Sequence, residues 1–169
     1  KYNNTEGMRQ AINDAMDVHA GRAVCLGPKN YLAQTYQTVP VAITVEGANI
    51  LTRSMIIFGQ GAIRCHPYVL KEMLAAADSD ETAGLKAFDE AFFAHAGFTI
   101  SNLVRSLVLA VSGARFVKAP DLGPTAPYAR KLTRMSASFA LLADVAMLTL
   151  GGDLKRREKL SGRFADILS

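Results

Sequence analysis

Glu46 stands at the head of an apolar run, Val45-Glu46-Gly47-Ala48-Asn49-Ile50-Leu51-Thr52-Arg53, where the chain leaves a glycine-containing turn. A carboxylate so placed has two uses. It can complement the positive end of a helix, an effect of roughly 0.3–1 kcal/mol. Lodged among apolar groups, it can instead act as a general base able to take a proton from carbon next to a carbonyl. Burial can raise a carboxyl pKa by up to ~3–5 units, which outweighs the helix end. Spacing alone favours the helix-end reading, in which Glu46 is an ordinary first-turn acid. Gly47 lets the backbone turn closely beneath a ligand, because it carries no Cβ.

The other chemically capable side chains are sparse. His19, His66 and His95 share no three- or four-residue spacing with a second strong ligand, so no metal site is expected. His66, just before Pro67, reads as a capping or packing residue. Cys25 and Cys65 stand alone in apolar surroundings and are expected to be buried, reduced thiols.

The elements that must position Glu46 are helical. Met8, Ile12, Ala15 and His19 mark one face of a helix over residues 5–26, broken by Gly27-Pro28-Lys29-Asn30. The stretch to Thr38 reads as an irregular excursion. Val39, Val41, Ile43 and Val45 alternate with period two, yet Pro40 and the lack of a second strand to pair with favour an extended or partly helical connector. Ile50, Leu51, Ser54, Met55, Ile57 and Phe58 then predict a helix of about four turns that ends near Gly59 and Gly61, with Glu46 at its N-terminal edge. Pro67 suits the first turn of a helix through Ala77, and residues 78–82 form a loop into an acidic helix start. Ile100, Leu103, Val104, Leu107, Val108 and Val111 predict one long buried helix. After a Pro-rich connector at residues 118–127, Leu132, Met135, Phe139, Leu142 and Val145 predict a second. The expected fold is an all-α helical bundle with a boundary between Ala77 and Gly84.

Composition excludes some classes. The chain has 169 residues, half of them hydrophobic, and a formal net charge of only +4, so the mild cationic excess is no polyanion-binding stripe and nucleic acid is not expected. Arg53, Arg64, Arg105, Arg115 and Arg134 interrupt every run that approaches the roughly 18 uncharged apolar residues of a membrane span, so none is predicted. The first residues lack the pattern of a secretory signal and an initiator Met, and the chain is expected to begin inside a longer protein. The basic end, with Lys155, Arg156, Arg157, Lys159 and Arg163 against Leu154, Leu160, Phe164 and Ile167, reads as a solvated face or as a docking surface for an anionic membrane.

The run from Ile43 to Arg53, followed by Met55-Ile56-Ile57-Phe58-Gly59-Gln60-Gly61, resembles the end of an acyl-CoA dehydrogenase, closest to the bacterial fatty-acid type with an extra C-terminal region. Upstream, Ala15-Met16-Asp17-Val18-His19-Ala20-Gly21-Arg22-Ala23 aligns with a family turn that touches the FAD pyrophosphate of a neighbouring subunit. Asp17 replaces a Gln there and Ala20 and Ala23 replace glycines, which leaves Gly21 intact. The resemblance implies that residues 1–77 are the last helices of the catalytic domain and 78–169 an accessory helical region, together a C-terminal fragment inactive alone. It implies FAD as cofactor and fatty acyl-CoA as substrate, oxidised to trans-2-enoyl-CoA in fatty acid β-oxidation. Electrons would pass to an electron-transfer flavoprotein or similar acceptor.

By the same resemblance Glu46 abstracts the α proton, and its backbone N–H helps to hold the thioester oxygen, with Gly47 beside it. Gly21, Ala48 and Ile50 stand at FAD-contacting positions, Ala48 where a Thr is frequent and Ile50 where a polar residue is. Arg53 matches a recurrent arginine that serves equally as an ion-pair partner. A homo-oligomer in the bacterial cytoplasm, in contact with the inner membrane through the basic end, completes the expectation. The competing reading is a non-catalytic helical module that docks on a partner or a membrane. An acyl-CoA oxidase would keep the same base and pass electrons to oxygen.

Overall fold

The computed structural model describes every residue except 119 and 121, which fall in the Pro-rich connector expected at residues 118–127. Helices α1 (Tyr2–His19), α2 (Gly21–Val24), α3 (Ala33–Thr44) and α4 (Asn49–Leu51) come first. A π-helical segment (Thr52–Gln60) leads into α5 (Gly61–Arg64), then α6 (Val69–Ala76) and α7 (Glu81–Val111). A 3-10 turn (Gly123–Thr125) opens α8 (Ala126–Leu150), and a second (Gly151–Lys155) precedes α9 (Glu158–Leu168). The described residues contain no strand, and the fold is all-α.

Two compact units share the chain. The first comprises Lys1–Gln60 and Arg157–Ser169, the second Gly61–Arg156. The boundary expected after Ala77 falls within the second unit, at the turn between α6 and α7.

In the first unit, α1 packs on α3, and α9 packs along the π-helical segment. The helix expected over 5–26 ends earlier, at His19, because Ala20 takes a positive φ of 47° and reverses the chain before α2. The stretch expected to be irregular is instead α3, which begins at Ala33, runs through Pro40 and takes the helical alternative for the connector expected to be extended or partly helical. Asn30 starts it: its Oδ1 accepts the Leu32 and Ala33 amides at 3.1 and 3.0 Å. Pro40 lacks an N–H for the ladder. With no second strand to satisfy a period-two segment, the helical bonds win despite six β-branched residues in α3.

The four-turn helix expected after Gly47 is present but widened, because residues 52–60 follow the i→i+5 pattern. Its Phe58 ring stacks on Phe164 of α9 at 4.3 Å between centroids. Small residues allow the approach. A Cβ on Gly59 would lie 3.3 Å from Ser161 Oγ, and one on Gly162 would lie 3.1 Å from Arg53 Nη1. The apolar side of the basic end is therefore occupied, with Phe164 and Ala165 buried against this segment.

In the second unit α7 packs on both α6 and α8. Asp80 caps α7, its Oδ1 accepting the Thr82 and Ala83 amides at 3.0 and 3.1 Å. Gly84 lets α7 approach the end of α6: a Cβ there would stand 2.7 Å from the Ala75 carbonyl oxygen and 3.0 Å from Asp78 Cβ. Gly84→Ala gains roughly 1 kcal/mol of helix propensity, but a contact that short with a backbone oxygen forces the helices apart at about 1–3 kcal/mol. The net change expected in chemical denaturation of the protein is a loss of stability.

Three sequence expectations are corrected. Cys25 and Cys65 are exposed, since each sits at a helix end where nothing covers it. The long helices α7 and α8 form, but Ile100, Val104, Leu107, Leu132, Met135 and Leu148 are exposed, because periodicity marks an apolar face without supplying a cover for it. By length and composition, α7 and the run Gly123–Lys155 are apolar enough to cross a membrane, so the Arg interruptions do not exclude spans as the run-length rule suggested. One arginine in 18 residues can snorkel along its own stem.

Candidate functional site

The Glu46 turn joins α3 to α4. Val45 is extended, Glu46 and Gly47 both take positive φ (54° and 84°), and Ala48 returns to φ −52° and ψ 142° before α4 begins. Left-handed backbone costs a non-glycine residue roughly 1–2 kcal/mol. Glu46 therefore holds a strained conformation, of the kind that gathers at functional sites. Its carboxylate is exposed and makes no hydrogen bond or ion pair among the described residues.

The exit of the turn is held firmly. Asn49 is buried at 5 % exposure, and its Nδ2 donates to Thr5 Oγ1 at 2.8 Å and to Glu6 Oε1 at 2.9 Å. Its Oδ1 lies 3.1 Å from the Lys1 ammonium and 3.0 Å from the Thr5 hydroxyl. Lys1 also donates to the Gly47 carbonyl at 2.9 Å.

Of the other residues singled out in the sequence, Gly47 and Ala48 are half-buried within this turn, whereas Ile50 is 76 % exposed on α4. Gly21 opens α2, away from this turn, and is exposed, with no atom within 4 Å of where a Cβ would stand. Beside it His19, Arg22, Lys29, Asn30 and Tyr31 line a shallow depression, in which the Tyr31 hydroxyl meets His19 Nε2 at 2.9 Å. Arg53 spans to α9, donating through Nε to Asp166 Oδ1 at 2.7 Å and through Nη2 to Oδ2. That paired hydrogen bond holds the Asp166 carboxyl below its usual range. The arginine is an ion-pair partner here.

A second polar cluster lies in the other unit, and spacing did not reveal it. His66 Nδ1 accepts the Tyr68 and Val69 amides, both at 3.2 Å, and so caps α6. The proton of its neutral ring must then sit on Nε2, which donates to Asp144 Oδ1 at 2.9 Å. Thr99 donates to Asp144 Oδ2 at 2.7 Å. His95 bridges Glu72 Oε1, 2.7 Å from Nδ1, and Asp144 Oδ1, 3.4 Å from Nε2. Burial pushes the His66 imidazole below its ordinary value, against the pull of Asp144.

By spacing alone the histidines are too scattered to share a ligand, yet the fold brings the ligand atoms of His66, His95 and Asp144 within 4.8 Å of one another. The hydrogen bonds argue for a network tying α6, α7 and α8. Coordination through His66 Nε2 would remove its proton while Nδ1 still accepts two amides, leaving an imidazolate. Asp144 escaped notice in the sequence, although a lone acid in the apolar run Phe139-Ala140-Leu141-Leu142-Ala143-Asp144-Val145-Ala146-Met147-Leu148 was a signal, because a buried carboxylate needs partners.

A family model described as acyl-CoA dehydrogenase, C-terminal, bacterial type, matches residues 63–169, well over half of the chain. The chain belongs to that family. No solved structure matches it. Within this acyl-CoA dehydrogenase chain the match begins in α5 and includes α6 to α9, hence the whole His66, His95 and Asp144 network, while the Glu46 turn precedes it. Membership establishes an acyl-CoA dehydrogenase relative.

Proposed function

We propose that this chain contributes the catalytic base and a helical C-terminal region to a flavin-dependent dehydrogenase that converts fatty acyl-CoA to trans-2-enoyl-CoA in β-oxidation. The observation that carries the reading is the Glu46-Gly47 turn: an unpaired carboxylate on strained, left-handed backbone, anchored at its exit and presented at the surface of its unit. The family supports the reaction class.

Glu46 takes the proton from the carbon α to the thioester. For that its carboxylate must be desolvated by the acyl chain, since a solvated one is a weak base toward carbon. Its backbone N–H would donate to the thioester oxygen, where negative charge grows as the proton leaves. FAD, when bound, supplies the acceptor for the hydride leaving the β carbon. The cationic Arg22 and Lys29 beside the open backbone at Gly21 would attract an anionic pyrophosphate, and in this reading they serve the cofactor of a neighbouring subunit, so that the enzyme works as a homo-oligomer. The electrons then leave to an electron-transfer flavoprotein or similar acceptor.

The test is anaerobic mixing of the whole flavin-loaded enzyme with a fatty acyl-CoA. Loss of the oxidised flavin absorbance together with formation of trans-2-enoyl-CoA is the expected result. A flavin that stays oxidised under saturating acyl-CoA of every chain length would overturn the proposal.

A further inference from the structure

We infer that Asn49 is the positioning residue of the base, clamping the Glu46 turn to the first turns of α1 so that the carboxylate is presented in one direction. The inference rests on the assignment of Glu46 as base. Asn49 does not itself touch the carboxylate. It is the buried member of an otherwise accessible turn, and both ends of its amide are engaged by α1 and the residue before it: Nδ2 by Thr5 Oγ1 and Glu6 Oε1, Oδ1 by Thr5 Oγ1 and Lys1 Nζ. Lys1 makes a second attachment two residues upstream, at the Gly47 carbonyl.

The turn needs such a hold. Two successive left-handed residues, one of them not glycine, would relax toward commoner backbone angles if the exit were free. Any such relaxation swings the Glu46 side chain, because its Cα–Cβ direction is set by the two dihedrals that would change. A reacting group misplaced by about 1 Å can lose on the order of 10²-fold in rate. The partners on α1 lie more than 40 residues away in sequence, so the clamp is a tertiary device and no part of the turn's own chemistry.

The experiment compares Asn49→Ala, Thr5→Val, Thr5→Ser and Glu46→Gln in the whole flavin-loaded enzyme, following flavin reduction by acyl-CoA in single turnovers. Asn49→Ala and Thr5→Val are expected to slow reduction by about 10–100-fold, with the acyl-CoA KM and the bound-flavin spectrum unchanged. Their double variant should be little worse than either alone, since they break one unit. Thr5→Ser, which keeps the hydroxyl, should restore the rate. The clamp is overturned if Thr5→Val and Asn49→Ala both reduce flavin normally while Glu46→Gln is inert. It is equally overturned if rate and flavin content fall together while KM rises, as general misfolding would cause. Should Asn49→Ala fail to fold, the Thr5 pair decides alone. Normal reduction by Glu46→Gln would reject the base assignment itself, and the clamp with it.

Discussion

Asp144→Ala is expected to remove about 1–3 kcal/mol of stability from the unit formed by residues 61–156, the range for leaving a buried hydrogen-bond donor without its acceptor. The carboxylate is 6 % exposed and takes hydrogen bonds from His66 and Thr99, with His95 close by. Its loss leaves the His66 Nε2–H and the Thr99 hydroxyl without acceptors in a place water does not readily reach, and strands His95 beside Glu72 alone. Against a typical total of roughly 5–15 kcal/mol, that is a large share. Urea denaturation followed by helical circular dichroism measures it, and a loss below about 1 kcal/mol would show that the network is dispensable. The same cluster gives stability a pH signature. His66 has a folded pKa below its unfolded value of 6.5, so the unfolded chain takes up the proton first. The associated stability is complete above pH 6.5 and declines as pH falls from there through the folded value.

Glu46→Gln is expected to slow flavin reduction by acyl-CoA by about 10²–10⁴-fold or more, the range for removing a positioned general base. The substitution keeps the shape and length of the side chain, and the left-handed φ of 54° is no harder for Gln than for Glu. With no hydrogen bond or ion pair from the carboxylate among the described residues, folding should be unaffected. Substrate affinity and flavin content should stay near those of the parent, because the amide removes only a proton acceptor. A Glu46→Gln protein that bleaches flavin at the parental rate would show that some other group accepts the proton.

How far the sequence revealed these features follows from where their causes lie. Glu46 and its turn could be read because Gly47, the apolar run and the family-like residues are all contiguous. The long helices α7 and α8 could be read from spacing of three and four. The helix through Pro40 could not, since Val39, Val41 and Ile43 alternate as a strand would, and only the missing partner strand tips the balance. The clamp was hidden because Asn49 looks like an ordinary helix-start residue until α1 is folded against it. His66, His95 and Asp144 lie in three separate segments, and no local spacing could unite them. The exposure of Leu107 or Leu132 was equally illegible, because an apolar stripe says which side seeks cover and not whether cover is present.

The return of α9 to the first unit sets an order of events during synthesis. Phe58 and Gly59 leave the ribosome well before the helix that covers them, which is encoded almost a hundred residues later. At about 5–20 residues per second, a nascent chain leaves that surface bare for on the order of ten seconds. An early stop codon or a proteolytic nick that removes α9 would make the exposure permanent, and quality-control machinery would meet the Phe58 side of the π-helical segment as a degradation signal.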